Sequence, residues 1–412
     1  MSYLLARRPL GETSTNWIGG LPKIEASRWP RCAATGLPLH FLAQIDLAQV
    51  PDAAAKAGLP DRGWLSFFAD TEFSNSAVRN GFPACVIHSE ALTEPCAPPP
   101  DLPEPYGQDF TYALSYHVFH PRDRFLCSPV SLVDIGDGDP AAIARQACVS
   151  YSSVFDPERD GMPFREAAAG LLVSLQRAQD RNAIRFDIEE NQKAVDRLRE
   201  SLDAIEQHQH LEGEAFQAAM AAAGFHGLEQ FPGRAKAGRE KHLQGAQNSL
   251  RSALRSRETL PKLMAELARI ARDGEAHAPM SREDYDTVLG MIGREGFSSS
   301  LVTEGLERHM RGVLGNLAFG AQPQPERLPE TVVDHWNANP HSAAGPHIFL
   351  GDGPSPQLLE DGFAGCRPLL HLACDTVLGL SWGDMGVVQF WMHPDDIRDR
   401  AWHKVKLRLA GC

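Results

Sequence analysis

The sequence predicts an α+β protein: a mainly antiparallel, strand-rich module with internal duplication, interrupted by an α-helical insert that contains a coiled-coil hairpin. Three observations predict it. Short apolar runs separated by Gly and Pro fill residues 13–157 and return after residue 332. All seven tryptophans lie in those two segments. Between them the texture changes to Ala, Leu, Glu, Arg and Gln, residues that favour helix. The expected domains are 1–157 for the first half of the module, 158–331 for the helical insert and 332–412 for the second half.

In the first half, His40-Phe-Leu-Ala-Gln-Ile-Asp46, Gly63-Trp-Leu-Ser-Phe-Phe68 and Ala84-Cys-Val-Ile-His88 read as strands bounded by turn residues. In the second, Pro368-Leu-Leu-His-Leu-Ala-Cys-Asp375, Gly386-Val-Val-Gln-Phe-Trp-Met392 and Val405-Lys-Leu-Arg-Leu409 do the same. Each half holds an apolar strand ending in Asp, then a gap, then Gly leading into an aromatic strand. Phe41 to Phe68 and Leu370 to Trp391 are the two copies, and duplication would bring two Asp-tipped strands into one core.

In the insert, Ile184, Ile188, Asn191, Val195, Leu198, Leu202 and Ile205 step by four and three. Leu243, Ala246, Leu250 and Ala253 do likewise, followed by Leu260, Met264 and Leu267, so the spacing predicts an antiparallel coiled-coil hairpin. Pro261 lacks an N–H and should kink the second helix or start a new one after Thr259. Ser281-Arg-Glu-Asp284 has the form of a capping box for a shorter helix carrying Tyr285, Val288, Leu289 and Ile292. A further helix is expected over 299–317, and the Pro-rich stretch 322–329 should end the helical region.

A chain of 412 residues can bury two or three cores without metal or disulfide staples. Its eight cysteines form no C-x-x-C pair and no ligand spacing with histidine, which predicts reduced, buried thiols. A net charge of -13 argues against a general affinity for nucleic acid, which needs clustered excess Lys and Arg. The N-terminal apolar run is too short for a signal peptide, and no stretch of about 18 apolar residues appears later in the chain. These features place the protein in a reducing cytoplasm, with no membrane partner.

Trp17-Ile-Gly-Gly-Leu-Pro22, Trp29-Pro30, Leu39-His-Phe-Leu-Ala-Gln-Ile-Asp-Leu47 and Gly63-Trp-Leu-Ser-Phe-Phe68, joined later by Trp382-Gly-Asp-Met-Gly386 and Pro394-Asp-Asp396, resemble the YwqG-like family, a bacterial family of unknown function. The resemblance covers both strand-rich segments and none of the helical block. It implies an α+β fold dominated by antiparallel strands, and it brings no reaction, cofactor or catalytic residue with it. The family's late Leu-Gln-Leu-Asp stands here as Leu370-His-Leu-Ala373, so a site needing that Gln or Asp is incomplete.

The candidate binding groove consists of Trp17, Gly19, Gly20, Gln44 and Asp46 from the first half with Trp382, Gly383 and Asp384 from the second. Asp46 and Asp384, with Gln44 and Asp375, could pair as carboxylates for acid–base work or hold a hard cation; turn capping explains them more simply. Gly19 and Gly20 could let backbone N–H groups approach a ligand, but no Lys-Ser/Thr comes after them, so this is no P-loop. Gly379-Leu-Ser-Trp-Gly383 matches G-x-S-x-G, yet a nucleophilic Ser381 needs a helix after its turn and the sequence continues as a strand. His208 and His210 point to different helix faces and make poor metal co-ligands. Arg234, Lys236, Arg239, Lys241, Arg251, Arg255 and Arg257 read as a solvated helix face, without the aromatic interleaving of single-strand binders. No catalytic residue, metal or cofactor is therefore assigned. The expectation is a non-enzymatic protein-binding module, of the immunity type that neutralises a bacterial toxin, with self-association through the helical insert as a further mode. An enzyme using the groove between the halves, on a small molecule or with a metal, and an adaptor acting through the hairpin alone are the alternatives.

Overall fold

Ten short apolar runs extend as strands because β-branched and aromatic residues suit a pleated surface packed on both faces. They are Tyr3–Arg7 (β1), Asn16–Ile18 (β2), His40–Asp46 (β3), Trp64–Ala69 (β4), Ala84–Ser89 (β5), Ser128–Asp134 (β6), Ile348–Phe349 (β7), Arg367–Ala373 (β8), Val387–Met392 (β9) and Lys406–Ala410 (β10). The computed structural model describes residues 2–50, 58–71, 82–105, 123–135, 157–180, 182–295, 305–338, 345–351, 361–375, 377–382 and 386–411. These divide into two compact units, one of residues 1–163 with 307–412 and one of residues 164–306.

In the first unit all ten strands join in one sheet of order β10-β9-β8-β7-β1-β6-β2-β3-β4-β5, with every pairing antiparallel. β1 and β6 form the centre. Outward from them, β2 to β5 and β7 to β10 are each a meander of four strands. Each meander carries a register shift at the same place, between Phe41 and Ala43 on β3 and between Pro368 and Leu370 on β8. Bulges sharpen local twist. The sheet curls nearly into a barrel: Phe82, just before β5, bridges to Leu407 on β10. Inside, the Phe67 ring meets Phe390 at 5.2 Å and Phe349 at 6.5 Å, edge to face.

Phe68 points the other way, as the strand period requires. It packs with Trp17, Trp29, Phe41 and Ile87 in a second cluster, covered by Ile24, Leu39 and Cys96 from the loops. Among the described residues of this unit the helices are Pro157–Asp160 (α1), most of Gly305–Phe319 (α7), Glu330–Ala338 (α8) and Pro394–Arg398 (α9). The strand texture expected from residue 332 is thus delayed by α8, where Val332 and Trp336 stand one turn apart on a buried face. β1 is a second departure, since the sequence was expected to become strand-rich only from residue 13.

The second unit holds the helices Arg165–Asp180 (α2), Ala183–Gln207 (α3), Gly213–Ala222 (α4), Pro232–Arg272 (α5) and Arg282–Glu295 (α6), and α7 begins at its end. α3 and α5 run antiparallel: Ala204 and Ile205 cluster with Ala235, while Val195 faces Leu250 further along. α5 continues as one helix through Pro261, so no new helix starts after Thr259. Ser281 Oγ accepts the Asp284 N–H at 3.1 Å and caps α6, as its sequence anticipates.

Candidate functional site

Trp17 on β2 stands opposite Gln44 on β3, and Gln44 opposite Ser66 on β4, so the three share one face of the sheet. Gln44 is fully buried; its Oε1 accepts the Lys23 N–H at 3.0 Å and its Nε2 has no partner among the described residues. The Lys23 ammonium lies 5.4 Å from the centre of the Trp17 ring, a cation–π distance. Gln44 therefore pins the loop that covers the Trp17 cluster.

Gly19 and Gly20 meet the backbone of the 125–127 segment at close range. Both have positive φ, +68° and +71°, and a Cβ on Gly19 would stand 2.0 Å from the Leu126 carbonyl oxygen. The Gly20 N–H donates to the Phe125 carbonyl at 2.9 Å. The two glycines let the 125–127 segment close over β2, so a structural need accounts for them. From the other side, Phe125 meets the Trp382 ring at 6.1 Å. Buried Trp382 donates its indole N–H to the Ala373 carbonyl at 3.2 Å. Phe125 thus packs on Trp382, while Trp17 belongs to the cluster around Phe68. Cys127 beside Gly20 is no nucleophile, because burial pushes its thiol up to about 11 despite the nearby Lys23.

Of the two candidate carboxylates, Asp46 caps the turn after β3: its Oδ1 accepts the Ala48 N–H at 2.9 Å, and its own N–H donates to Asn16 Oδ1 at 2.7 Å. Asp384, with Gly383, lies outside the described residues. Ser381 sits in the connection between β8 and β9, and the chain runs on into the strand β9 rather than a helix, a context that excludes a nucleophile elbow.

The buried ionic centre of the sheet unit is instead Asp375. Its Oδ2 accepts from Arg7 at 2.8 Å and faces His347 Nε2 at 3.4 Å, and its Oδ1 accepts the N–H groups of Val377 and Leu378 at 3.0 and 3.3 Å. Burial pushes this carboxyl up, but the Arg7 guanidinium and the His347 hydrogen bond outweigh it and hold it down at about 2. His347 Nδ1 accepts the Ala373 N–H, which leaves the proton on Nε2 for Asp375. Every acceptor direction of the carboxylate is engaged and the group is 1% exposed, so it serves neither as a general base nor as a cation ligand.

A second polar row crosses β8, β9 and β10. Arg408 donates to Gln389 Oε1 at 2.8 Å, and Gln389 Nε2 stands 3.1 Å from His371 Nδ1. Burial, with His347 and Arg408 nearby, pushes His371 down to about 3, so the ring is neutral. Counting outward from the bulges, His371 and Gln389 occupy the places that Gln44 and Ser66 hold in the other meander. Sequence reasoning singled out Gln44 and Asp375 and missed Arg7, Gln389 and Arg408; no spacing links Arg7 to a carboxylate 368 residues away.

The helical unit holds an open groove of about 250 Å³ on one flank of the α3/α5 pair, lined by Gln192, Val195 and Arg199 of α3 with Gln247, Leu250 and Arg251 of α5. His208 Nδ1 lies 2.9 Å from the Ala204 carbonyl, and among the described residues no group of three or more His, Cys, Asp or Glu is placed to hold a metal. No helix among the described residues is long and apolar enough to cross a membrane.

Fold and site together define an α+β protein built on a ten-stranded antiparallel sheet whose buried ionic groups are internally committed. The chain is similar to a domain of unknown function (DUF1963), whose family model matches residues 17–210. That match starts at Trp17, spans β2 to β6 and continues through α2 and α3, so it reaches into the helices that the YwqG-like resemblance leaves out. No curated protein matches the chain.

Proposed function

We propose that this protein is a non-enzymatic, cytoplasmic binding module in which the sheet unit is a rigid platform and the helical residues, as a coiled-coil insert in a duplicated strand module, contact a protein partner. The observation that carries this is the contrast between the two units. The buried Asp46, Asp375, His347 and His371 side chains of the sheet unit have internal partners, whereas the α3/α5 pair keeps an open, polar-rimmed groove. Internal duplication is supported by the paired meanders with matching bulges. An immunity-type role, masking a basic toxin surface, is supported by charge: residues 1–163 and 307–412 hold 21 basic against 31 acidic residues, and residues 164–306 hold 19 against 22.

The test is affinity capture of the full-length chain from its native cells, read by crosslinking and mass spectrometry, with mass photometry of the purified protein beside it. Specific crosslinks from α3 or α5 to one partner, or to a second copy, are expected. Neither a partner nor self-association at micromolar concentration would sink the proposal.

A further inference from the structure

Charge is shared unevenly along the helical pair. Ten of the 41 residues of α5 are Lys or Arg and three are Glu. Arg251, Arg255 and Lys262 recur at i, i+4 and i+11, which sets them on one exposed stripe. None of these three is paired with a carboxylate among the described residues; Arg251 donates to the Gln247 carbonyl and to Asn248, both neutral. Across the groove, Asp196 approaches Arg199 only to 3.8 Å, too long for a charge-assisted hydrogen bond. The floor between the two arginines is apolar, from Val195 and Leu250, and no carboxylate lines it.

The volume also selects. At about 250 Å³ the groove is smaller than the roughly 300–1,000 Å³ typical of metabolite pockets, and suits one or two side chains of a longer segment. Single-stranded nucleic acid would want aromatic platforms, and α5 contains no Phe, Tyr or Trp.

We propose that this groove docks an acidic, amphipathic segment of a protein partner, with apolar side chains on Val195 and Leu250 and carboxylates on Arg199 and Arg251. Arg255 and Lys262 extend the cationic track along α5. The proposal rests on the binding-module function above but not on its immunity form: the acidic excess that would face a basic toxin lies mainly in residues 1–163 and 307–412, whereas this groove is cationic and calls for an acidic partner segment. Guanidinium forks donate paired hydrogen bonds to carboxylates, while the apolar floor rewards a leucine-like anchor.

The probe is a fluorescein-labelled helical peptide of Glu and Leu at i, i+3 and i+4 spacing, titrated with the full-length chain by fluorescence anisotropy. Saturable binding is expected, weakened about tenfold by Arg199→Glu with Arg251→Glu and by raising salt, as exposed ion pairs that reverse sign should behave. Arg234→Glu with Arg282→Glu makes the same charge change elsewhere on the helices and should leave affinity within twofold. Equal loss in both double variants, equal binding of the Lys-for-Glu peptide, or tighter binding of a thymidine oligonucleotide would overturn the proposal. Circular dichroism confirms that each variant keeps its helices. If native-cell capture survives Arg199→Glu with Arg251→Glu while the peptide fails to bind, the groove assignment falls and the binding-module function stands.

Discussion

Replacing Asp375 by Asn should destabilise the sheet unit more than any other isosteric change in it. The amide keeps the shape but removes the charge that faces the 7% exposed Arg7 guanidinium at 2.8 Å inside the fold. Breaking a buried ion pair from one side costs about 3–5 kcal/mol, because the surviving charge stays desolvated. The titration of Asp375 points the same way. Asp375 drops from 3.8 to about 2, and each unit of depression is worth about 1.4 kcal/mol, so ionisation in the fold contributes about 2–3 kcal/mol at neutral pH. All seven tryptophans lie outside residues 164–306, so urea unfolding followed by tryptophan fluorescence reports on the sheet unit. The expected loss is between those figures at pH 7. Replacing the pair together, as Arg7→Met with Asp375→Leu, should recover most of it, since apolar residues of similar volume remove the stranded charge. A loss under about 1 kcal/mol for Asp375→Asn, or a double variant as unstable as the single one, would refute the assignment of Asp375 as the charged centre of the core.

Gly19→Ala should cost more than about 3 kcal/mol, because positive φ and the Leu126 carbonyl both oppose a Cβ, whereas Gly36→Ala, at φ +74° in open space, should cost only about 1 kcal/mol; thermal melts of the two compared side by side decide it. Phe67→Ala should cost about 3–5 kcal/mol in chemical denaturation, since its ring fills the inner face against Phe349 and Phe390. Stability should fall as pH drops below about 6.5: His371 and His40 are held near 3 and 4, so the unfolded chain takes up protons first, and the carboxylate contribution of Asp375 is lost next, between about pH 4 and 2. His371→Gln should flatten the slope between pH 6.5 and 4, and an unchanged slope would show that His371 is not buried neutral.

How far the sequence foretold this depended on how local each cause is. α3 and α5 were legible as helices because their apolar residues recur every three or four positions, as in the buried set Leu260, Leu263, Leu267 and Ile270 of α5. β3, β4, β8 and β9 were legible from runs bounded by turn residues, and Asp46 from the habit of Asp after a strand of capping the next turn. β1 was not, because Tyr3-Leu-Leu-Ala-Arg7 is buried on both faces and shows no alternation. Its identity as a strand comes from β6 and β7, which lie over 120 and 340 residues away. α8 was masked by the Pro-rich stretch before it and by Trp336, which the distribution of tryptophans assigned to strand texture. Of the candidate groove, Trp17 and Gln44 do share a face, but Phe125 packs against Trp382, a contact that no local pattern announces.

The paired meanders explain why the two Asp-tipped strands behave differently. Gln44 and His371 hold one place in the repeat, and Ser66 and Gln389 the next. On the neighbouring strand Ser66 is paired with Ile87, while Gln389 is paired with Arg408. With an apolar residue there, the first meander has no cation to satisfy, and Gln44 turns to the Lys23 amide, fastening a loop. In the second meander the same row becomes a hydrogen-bonded chain from Arg408 to His371. The carboxylate behaves in parallel. Asp46, the last residue of β3, spends its carboxylate on the Ala48 N–H of its own turn, while its backbone N–H donates to Asn16 Oδ1; the equivalent place on β8 is Ala373, and the acidic residue falls two positions later, at Asp375. That displacement carries it past the strand end to Arg7 on the central strand β1, so one half of the sheet uses its acid to finish a turn and the other uses it to tie the meander to the centre.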